Sequence, residues 1–221
     1  MNRGDVAWLC AFCAVTAAFF VPESRGAILE LTKAQPYPLG FAKFAILATM
    51  GELLAIRLSA GSWKRPAGFL RRVAVWGLIG VLVTLMFEVF SAGVRSAIAK
   101  GLLWSGDGPF STVATAFLMS LVMNFAFAPV FMVAHRMSDT YLDEAAAREP
   151  GAARLRLADL IAKIDWRGMI GFVILKTIPF FWVPAHTITF LLPAEYRIIA
   201  AAYLSIALGV ILALAKRRKA S

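Results

Sequence analysis

The chain has 221 residues, of which 60% are hydrophobic and only 16% are charged, and its formal net charge at pH 7 is +10. Soluble domains average about 45–50% apolar and about 25% charged residues, so this composition excludes an ordinary soluble domain. The positive charge has to be interpreted first by the side of a membrane on which it lies, and not as a sign of nucleic-acid binding.

Six apolar runs predict an all-α fold, a polytopic transmembrane helical bundle that forms a single domain over 1–221, since a span needs roughly 20 apolar residues. The runs cover residues 6–21, 39–58, 73–94, 111–134, 168–192 and 196–214. The first run is short enough to be a signal peptide, but no clear small-residue cleavage site follows it before Pro22, so we interpret it as a retained anchor or tilted span. Cys10 and Cys13 lie inside it without a second ligand pair, which favours packing over metal binding.

The basic residues predict the orientation of the chain. With a cytoplasmic N-terminus and six crossings, most of the 23 Lys and Arg residues fall in segments on the inner side. This distribution follows the positive-inside rule and places both termini in the cytoplasm, or on the matrix side of an organelle. It suits a bacterial inner membrane as well as an organelle inner membrane. Five crossings, with 168–214 forming a re-entrant pair, is the alternative.

The longest polar segment, 136–167, is predicted to be a cytoplasmic loop that is broken at Pro150-Gly151. After the break, four apolar residues fall on one face of a predicted helix: Leu157, Leu160, Ile161 and Ile164. The other face of this helix is charged. The pattern predicts either an amphipathic helix on the inner membrane surface or a solvated helical hairpin.

The last run carries a small residue at every fourth position: Ala201, Ser205, Gly209 and Ala213. Such a row lets two helix backbones approach closely. We expect it to seat a neighbouring span of the same chain, and a second subunit is the alternative.

Five polar side chains interrupt the apolar runs and are the candidate lining of a pore or solute site: Glu52, Asn124, Lys176, Glu88 and His186. A charge at the bilayer centre costs at least about 2.5–3.5 kcal/mol, so such groups face protein or water. Counting roughly 1.5 Å per residue places the first three in an inner layer and the last two nearer the outer face. The two layers are interpreted as a hydrophilic path, or as buried pairs that fix helix packing.

The fifth run also contains two candidate kinks, Pro179 and Pro184, each of which removes a backbone donor in mid-span. A carbonyl freed in lipid has to be satisfied by protein or water, and broken spans therefore commonly line cavities. Thr187 and Thr189 offer hydroxyls close by. The span is thus interpreted as a cavity wall or as an internally patched bend.

The fifth and sixth runs contain, in order, Trp182-Val183-Pro184, Phe190 and Pro193-x-x-x-Arg197. This order resembles the closing signature of the Mpv/peroxisomal membrane protein family, which runs Trp-Pro, Gln, Asn-Phe and Pro-x-x-x-Arg. In this chain Val183 splits the Trp-Pro pair, and the family's Gln and Asn are replaced.

Three earlier segments are similar to the same family over about 39–214, with the N-terminal span as an addition. They are Gly51-Glu52, Arg71-Arg72 followed by Gly77, and Phe127-Ala128-Pro129. The resemblance implies a helical bundle of an inner or peroxisomal membrane with a pore or small-solute channel role.

Two functions are consistent with these features: a channel or weakly selective pore for small solutes or ions, and a non-transporting subunit or organising protein of a larger assembly. His135 and His186 do not have HExxH spacing, and GxSxG and phosphate-binding glycine motifs are missing. We therefore expect no enzymatic activity, no catalytic or metal site, no cofactor and no nucleic-acid partner. The expected partners are the lipid bilayer, a small solute or ion, and a homo-oligomer or larger membrane complex.

Overall fold

The computed structural model describes residues 2–149 and 155–220, and all regular secondary structure in this part of the chain is helical, which confirms the predicted fold class. The helices are α1 Arg3–Phe20, α2 Pro22–Ala34, α3 Pro36–Ala60, α4 Phe69–Ala99, α5 Ser111–Ala126, α6 Ala128–Ala147, α7 Leu157–Lys163, α8 Trp166–Gly168, α9 Val183–Leu191 and α10 Ala194–Ala220. A 3₁₀ turn, Gly108–Phe110, precedes α5, and a π-helix, Met169–Trp182, joins α8 to α9.

Six helical segments are long and apolar enough to cross a membrane, and each corresponds to one predicted run. They are Arg3–Phe20, Pro36–Ala60, Phe69–Ala99, Gly108–Ala126, Trp166–Leu191 and Ala194–Ile211. The longest of them, α4, has 31 residues. At 1.5 Å per residue it extends about 46 Å, close to the roughly 40–45 Å thickness of a bilayer with its headgroups. This is the architecture of an integral membrane protein.

The fourth predicted run, 111–134, differs from the structure because the helix breaks inside it. α5 ends at Ala126, and α6 begins at Ala128 and continues to Ala147, well into the segment expected to be a loop. Pro129 has no N–H with which to bond the carbonyl of Phe125, so the regular ladder is interrupted there.

The second half of the predicted inner loop contains a shorter helix than its apolar pattern suggests. Residues 150–154, which include the predicted break at Pro150-Gly151, lie outside the described residues. In α7 and the residue after it, Leu160 and Ile164 are buried, whereas Leu157 is 60% and Ile161 39% exposed. The four residues therefore do not share one buried face.

Contacts divide the chain, expected to be one domain, into two compact units. Unit 1 comprises Met1–Pro66, Val73–Thr84 and Ala194–Ser221, and unit 2 comprises Ala67–Arg72 and Leu85–Pro193. Each unit has its own buried apolar residues, and each is described by itself below.

In unit 1, α3 packs along α10, with α1 and α2 beside them. The contact uses the small residues of both helices. A Cβ atom at Gly209 would lie 3.2 Å from the carbonyl oxygen of Gly51, and a Cβ atom at Gly51 would lie 3.0 Å from the Cα atom of Ile206. Ala201 and Ala213 are buried, and Ser205 is half-buried.

In unit 2, α5 packs along α9 and the π-helix, and α6 packs against the π-helix and α7. Met119 and Ile178 are almost completely buried in this unit, at 2% and 1% exposure. The pairing of α5 with α9 brings together the polar side chains considered next.

Candidate functional site: polar side chains within the spans

Deeply buried polar residues of unit 2 form a network between α5 and α9. Asn124 and His186 are 1% and 9% exposed, and Asn124 Nδ2 lies 3.1 Å from His186 Nδ1. Asn124 Oδ1 lies 3.3 Å from the same ring nitrogen. Since the amide offers both a donor and an acceptor, it can bond either neutral tautomer of the imidazole.

Ser120 extends this network to the backbone. Its hydroxyl, which is fully buried, donates to the carbonyl oxygen of Val183 at 2.7 Å. Asn124 Nδ2 also donates to the carbonyl oxygen of Ser120 at 2.8 Å. The network therefore joins α5 and α9 through two side chains, and it satisfies polar groups that lipid could not hydrate.

Aromatic rings enclose the imidazole of His186. Trp182 stacks on it with ring centroids 5.1 Å apart, and Phe87 meets it edge-on at 5.4 Å. Phe190 in turn lies 5.0 Å from Phe87. The indole Nε1 of Trp182 is buried and makes no hydrogen bond within residues 2–149 and 155–220.

The network joins two residues that counting along the spans places at different depths in the membrane. Asn124 was assigned to the inner layer and His186 to the outer layer, and the structure pairs them. Glu88 is exposed on α4 and does not contact His186 through a hydrogen bond.

The fifth span is irregular throughout its first half. Pro179 lies inside the π-helix, and the N–H of Val183 donates to the carbonyl of Ile178 five residues earlier. The hydroxyls of Thr187 and Thr189 donate to the carbonyls of Val183 and Ala185, four residues before each. Neither hydroxyl donates to the carbonyl of Phe180, the group that a backbone N–H at position 184 would bond in a regular α-helix.

Two candidate residues point outward in the spans. Lys176 is exposed near the middle of the span Trp166–Leu191, and Glu88 is exposed in the C-terminal half of α4. Within the described residues, neither side chain makes a hydrogen bond or an ion pair. These are the two charged members of the predicted set that lack a partner in that part of the chain.

The remaining candidate, Glu52, belongs to unit 1 and has a partner there. Its Oε2 accepts a hydrogen bond from Trp76 Nε1 at 2.9 Å. Unit 1 also holds a residue that the sequence analysis did not single out: Lys43 is only 5% exposed, and its Nζ donates to Thr32 Oγ1 at 2.7 Å. Its position inside the predicted span 39–58 is the signal that would have identified it.

Each unit also contains a cluster of charged residues that are not among the five predicted lining residues, and its hydrogen bonds link separate segments of that unit. In unit 1, Arg57 Nε and Trp63 Nε1 both donate to Asp5 Oδ1 at 2.8 Å. In unit 2, the buried guanidinium of Arg72 donates to Asp139 at 2.8 Å and to Asp143 at 2.6 Å.

No group of three or more His, Cys, Asp or Glu residues that could hold a metal ion occurs among the described residues. Comparison of the chain with protein-family models, with curated proteins and with solved structures finds no match.

Proposed function

We propose that this integral membrane protein is a channel or weakly selective pore for small solutes or ions. The observation that carries the proposal is the position of Lys176, exposed in mid-span and without a hydrogen bond or ion pair among the described residues. Facing lipid, a lysine at the bilayer centre costs at least about 2.5–3.5 kcal/mol. A water-filled path along this span removes that cost because water solvates the ammonium group.

The backbone of the same span supports this proposal. A π-helix is rare and is frequently found at functional sites, and here it extends over 14 residues, Met169–Trp182, with Pro179 inside it. Irregular backbone at membrane depth is tolerated where it is buried in protein or lines water. An exposed lysine on the irregular segment favours water.

The partners of the other candidates narrow the proposed lining. Glu52 bonds Trp76, and Asn124 bonds His186, so these three candidates are assigned to helix packing. Glu88 shares the exposure of Lys176 and is assigned with it to the lining. The proposed path thus carries one cation and one anion at different positions along the spans.

The resemblance to the Mpv/peroxisomal membrane protein family adds the expectation of a small-solute pore, and it rests on the short motifs quoted above. The positive-inside pattern supports placing both termini in the cytoplasm or matrix. We propose a bacterial or organelle inner membrane as the host on these two grounds.

The test is ion flux through liposomes that contain the purified protein, with charge selectivity measured as a reversal potential. Lys176→Met is expected to raise cation over anion permeability, and Glu88→Gln to shift it the opposite way, because each removes one charge from the lining. Lys33→Met is the matched control, since Lys33 is an exposed cation of α2 that pairs with Glu30 outside the spans. Correctly inserted protein that carries no flux, or flux whose selectivity neither lining variant changes, would refute the channel.

A non-transporting subunit of a larger membrane assembly is the second candidate, and the exposure of Glu88 and Lys176 favours it too. A helix of another membrane protein could cover these charges in place of water. This function predicts that the protein is extracted in mild detergent as part of a larger complex. It also predicts that Lys176→Met dissociates the complex, whereas Lys33→Met leaves it intact.

A further inference from the structure

The connection between α4 and α5 exposes three large apolar side chains within nine residues of the chain. Leu102 is 74%, Trp104 82% and Phe110 78% exposed. The three are called the loop anchor below. Three glycines shape this segment with positive φ angles that other residues rarely adopt, Gly101 at 71°, Gly106 at 77° and Gly108 at 77°.

The height of this segment in the membrane follows from its neighbours. It begins where α4 ends, at Ala99, and leads into the candidate span Gly108–Ala126. A connection between two spans lies at a membrane–water interface on whichever side it emerges. Since α4 is about as long as the bilayer with its headgroups is thick, the connection leaves α4 at headgroup level and does not extend far into water.

The loop anchor is continuous with an exposed apolar stripe of the candidate span that follows it. Phe110, Val113 and Phe117 follow at spacings of three and four residues, which places them on one helical face. Val113 and Phe117 are 48% and 44% exposed in the span. Phe110 therefore extends the apolar stripe of α5 into the connection, towards Trp104 and Leu102.

We propose that the loop anchor inserts into the lipid interface, with Trp104 at the level of the headgroups and Leu102 and Phe110 against the acyl chains below them. Tryptophan is enriched at this level because its ring is apolar and its indole N–H finds polar partners there. Two exposed cations beside the segment, Arg95 in the last turns of α4 and Lys100 directly after this helix, suit the phosphate groups of the lipids. Asp107 is exposed as well, and we expect its carboxylate to stay in water because a charge is costly to bury in lipid.

The experiment measures the depth of single residues in liposomes. Cys10 and Cys13 are replaced by Ala, and one new cysteine is introduced as Trp104→Cys or, as the matched control three residues away, Asp107→Cys. Each variant is labelled with an environment-sensitive fluorophore and quenched either by nitroxide lipids labelled at the headgroup or upper acyl chain, or by aqueous iodide. The two label sites, Trp104 and Asp107, are exposed, and so are Cys10 and Cys13, so the folded protein tolerates the label and the exchanges.

The ratio of lipid quenching to iodide quenching is expected to be several-fold higher for the label in Trp104→Cys than for the label in Asp107→Cys. Phe110→Cys gives an independent reading and is expected to follow Trp104→Cys. Equal iodide quenching at 104 and 107 would overturn the proposal, because the loop would then lie in water. Protection of 104 from both quenchers would overturn it too, since a protein partner or a second copy would then cover the anchor.

Discussion

Asn124 of α5 and His186 of α9 hold each other in a buried hydrogen bond, with 3.1 Å between Nδ2 and Nδ1. Both side chains are almost completely buried. Removing either one would therefore leave the other with a buried polar group that lacks this hydrogen-bond partner. The pair accounts for two polar residues in apolar spans without requiring a pore at this position.

This relationship predicts a coupling energy. Asn124→Leu and His186→Leu are each expected to lower the unfolding free energy, and the double variant to lose less than the sum. The coupling expected for a polar pair within a membrane helix bundle is about 0.6–1.7 kcal/mol. The measurement is a double-mutant cycle by SDS titration from mixed micelles. Strictly additive losses would show that the two side chains do not interact.

Removal of the single charge of Arg72, near the start of α4, is expected to lower the unfolding free energy strongly. The Arg72 side chain is 7% exposed, and its guanidinium bonds two carboxylates, Asp139 and Asp143. Removing one partner of a buried ion pair lowers the unfolding free energy by about 3–5 kcal/mol. For Arg72→Met we expect the lower end of this range, about 3 kcal/mol, because Asp143 is largely exposed. Arg71→Met is the matched control, since Arg71 is exposed next to it. An equal loss from both variants would assign the effect to membrane-flanking charge in general.

Two glycines of α4 make a matched pair for a packing test. A Cβ atom at Gly80 would collide with the carbonyl oxygen of Gly40 and lie 2.7 Å from the Cβ atom of Phe44, whereas Gly93 has open space within 4 Å. Gly80→Ala is therefore expected to lower the thermal midpoint in detergent. Gly93→Ala is expected to leave it unchanged or raise it, because alanine favours helix by up to about 1 kcal/mol. Similar midpoints for both variants would mean that α3 and α4 do not approach as closely as described.

The positions of the spans could be predicted because apolar length alone decides them, as α3 and α4 show. The partner of each polar side chain could not be predicted, because pairing depends on how the helices are rotated against one another. Counting depth at an ideal α-helical rise also misplaced His186 relative to Asn124, since the segment before it is π-helical. Lys43 was not among the predicted candidates, although it lies inside the predicted span 39–58.

His135 predicts a pH dependence of stability. It lies in α6, after the candidate span Gly108–Ala126. Burial lowers the pKa of His135, with smaller contributions from the charges of Arg136 and Arg72, and the charge of Asp139 opposes the shift. Because the folded pKa lies below the unfolded value of about 6.5, the unfolded chain takes up a proton that the folded chain excludes. The contribution of neutral His135 to the unfolding free energy is therefore fully present above about pH 6.5, the unfolded pKa, and it decreases as the pH is lowered below that value.

The measurement for His135 is the thermal midpoint in an uncharged detergent between neutral and mildly acidic pH. His135→Gln is expected to make the acid-side loss shallower, because the substituted residue does not titrate. An unchanged slope in His135→Gln would assign the pH dependence to other groups.

Replacing the buried amine of Lys43 by an apolar side chain is expected to preserve or increase the stability of the protein. Its Nζ bonds the hydroxyl of Thr32, which itself donates to the carbonyl of Ile28 at 2.6 Å and keeps that bond when the lysine is removed. Lys43→Met preserves much of the side-chain volume and removes a polar group that is costly to bury. We expect the unfolding free energy to stay level or rise by about 1 kcal/mol. Lys33→Met, at an exposed site, is expected to change it by less than about 0.5 kcal/mol. A clear loss in Lys43→Met would instead show that the hydrogen bond to Thr32 stabilises the fold by more than the burial of the ammonium group costs.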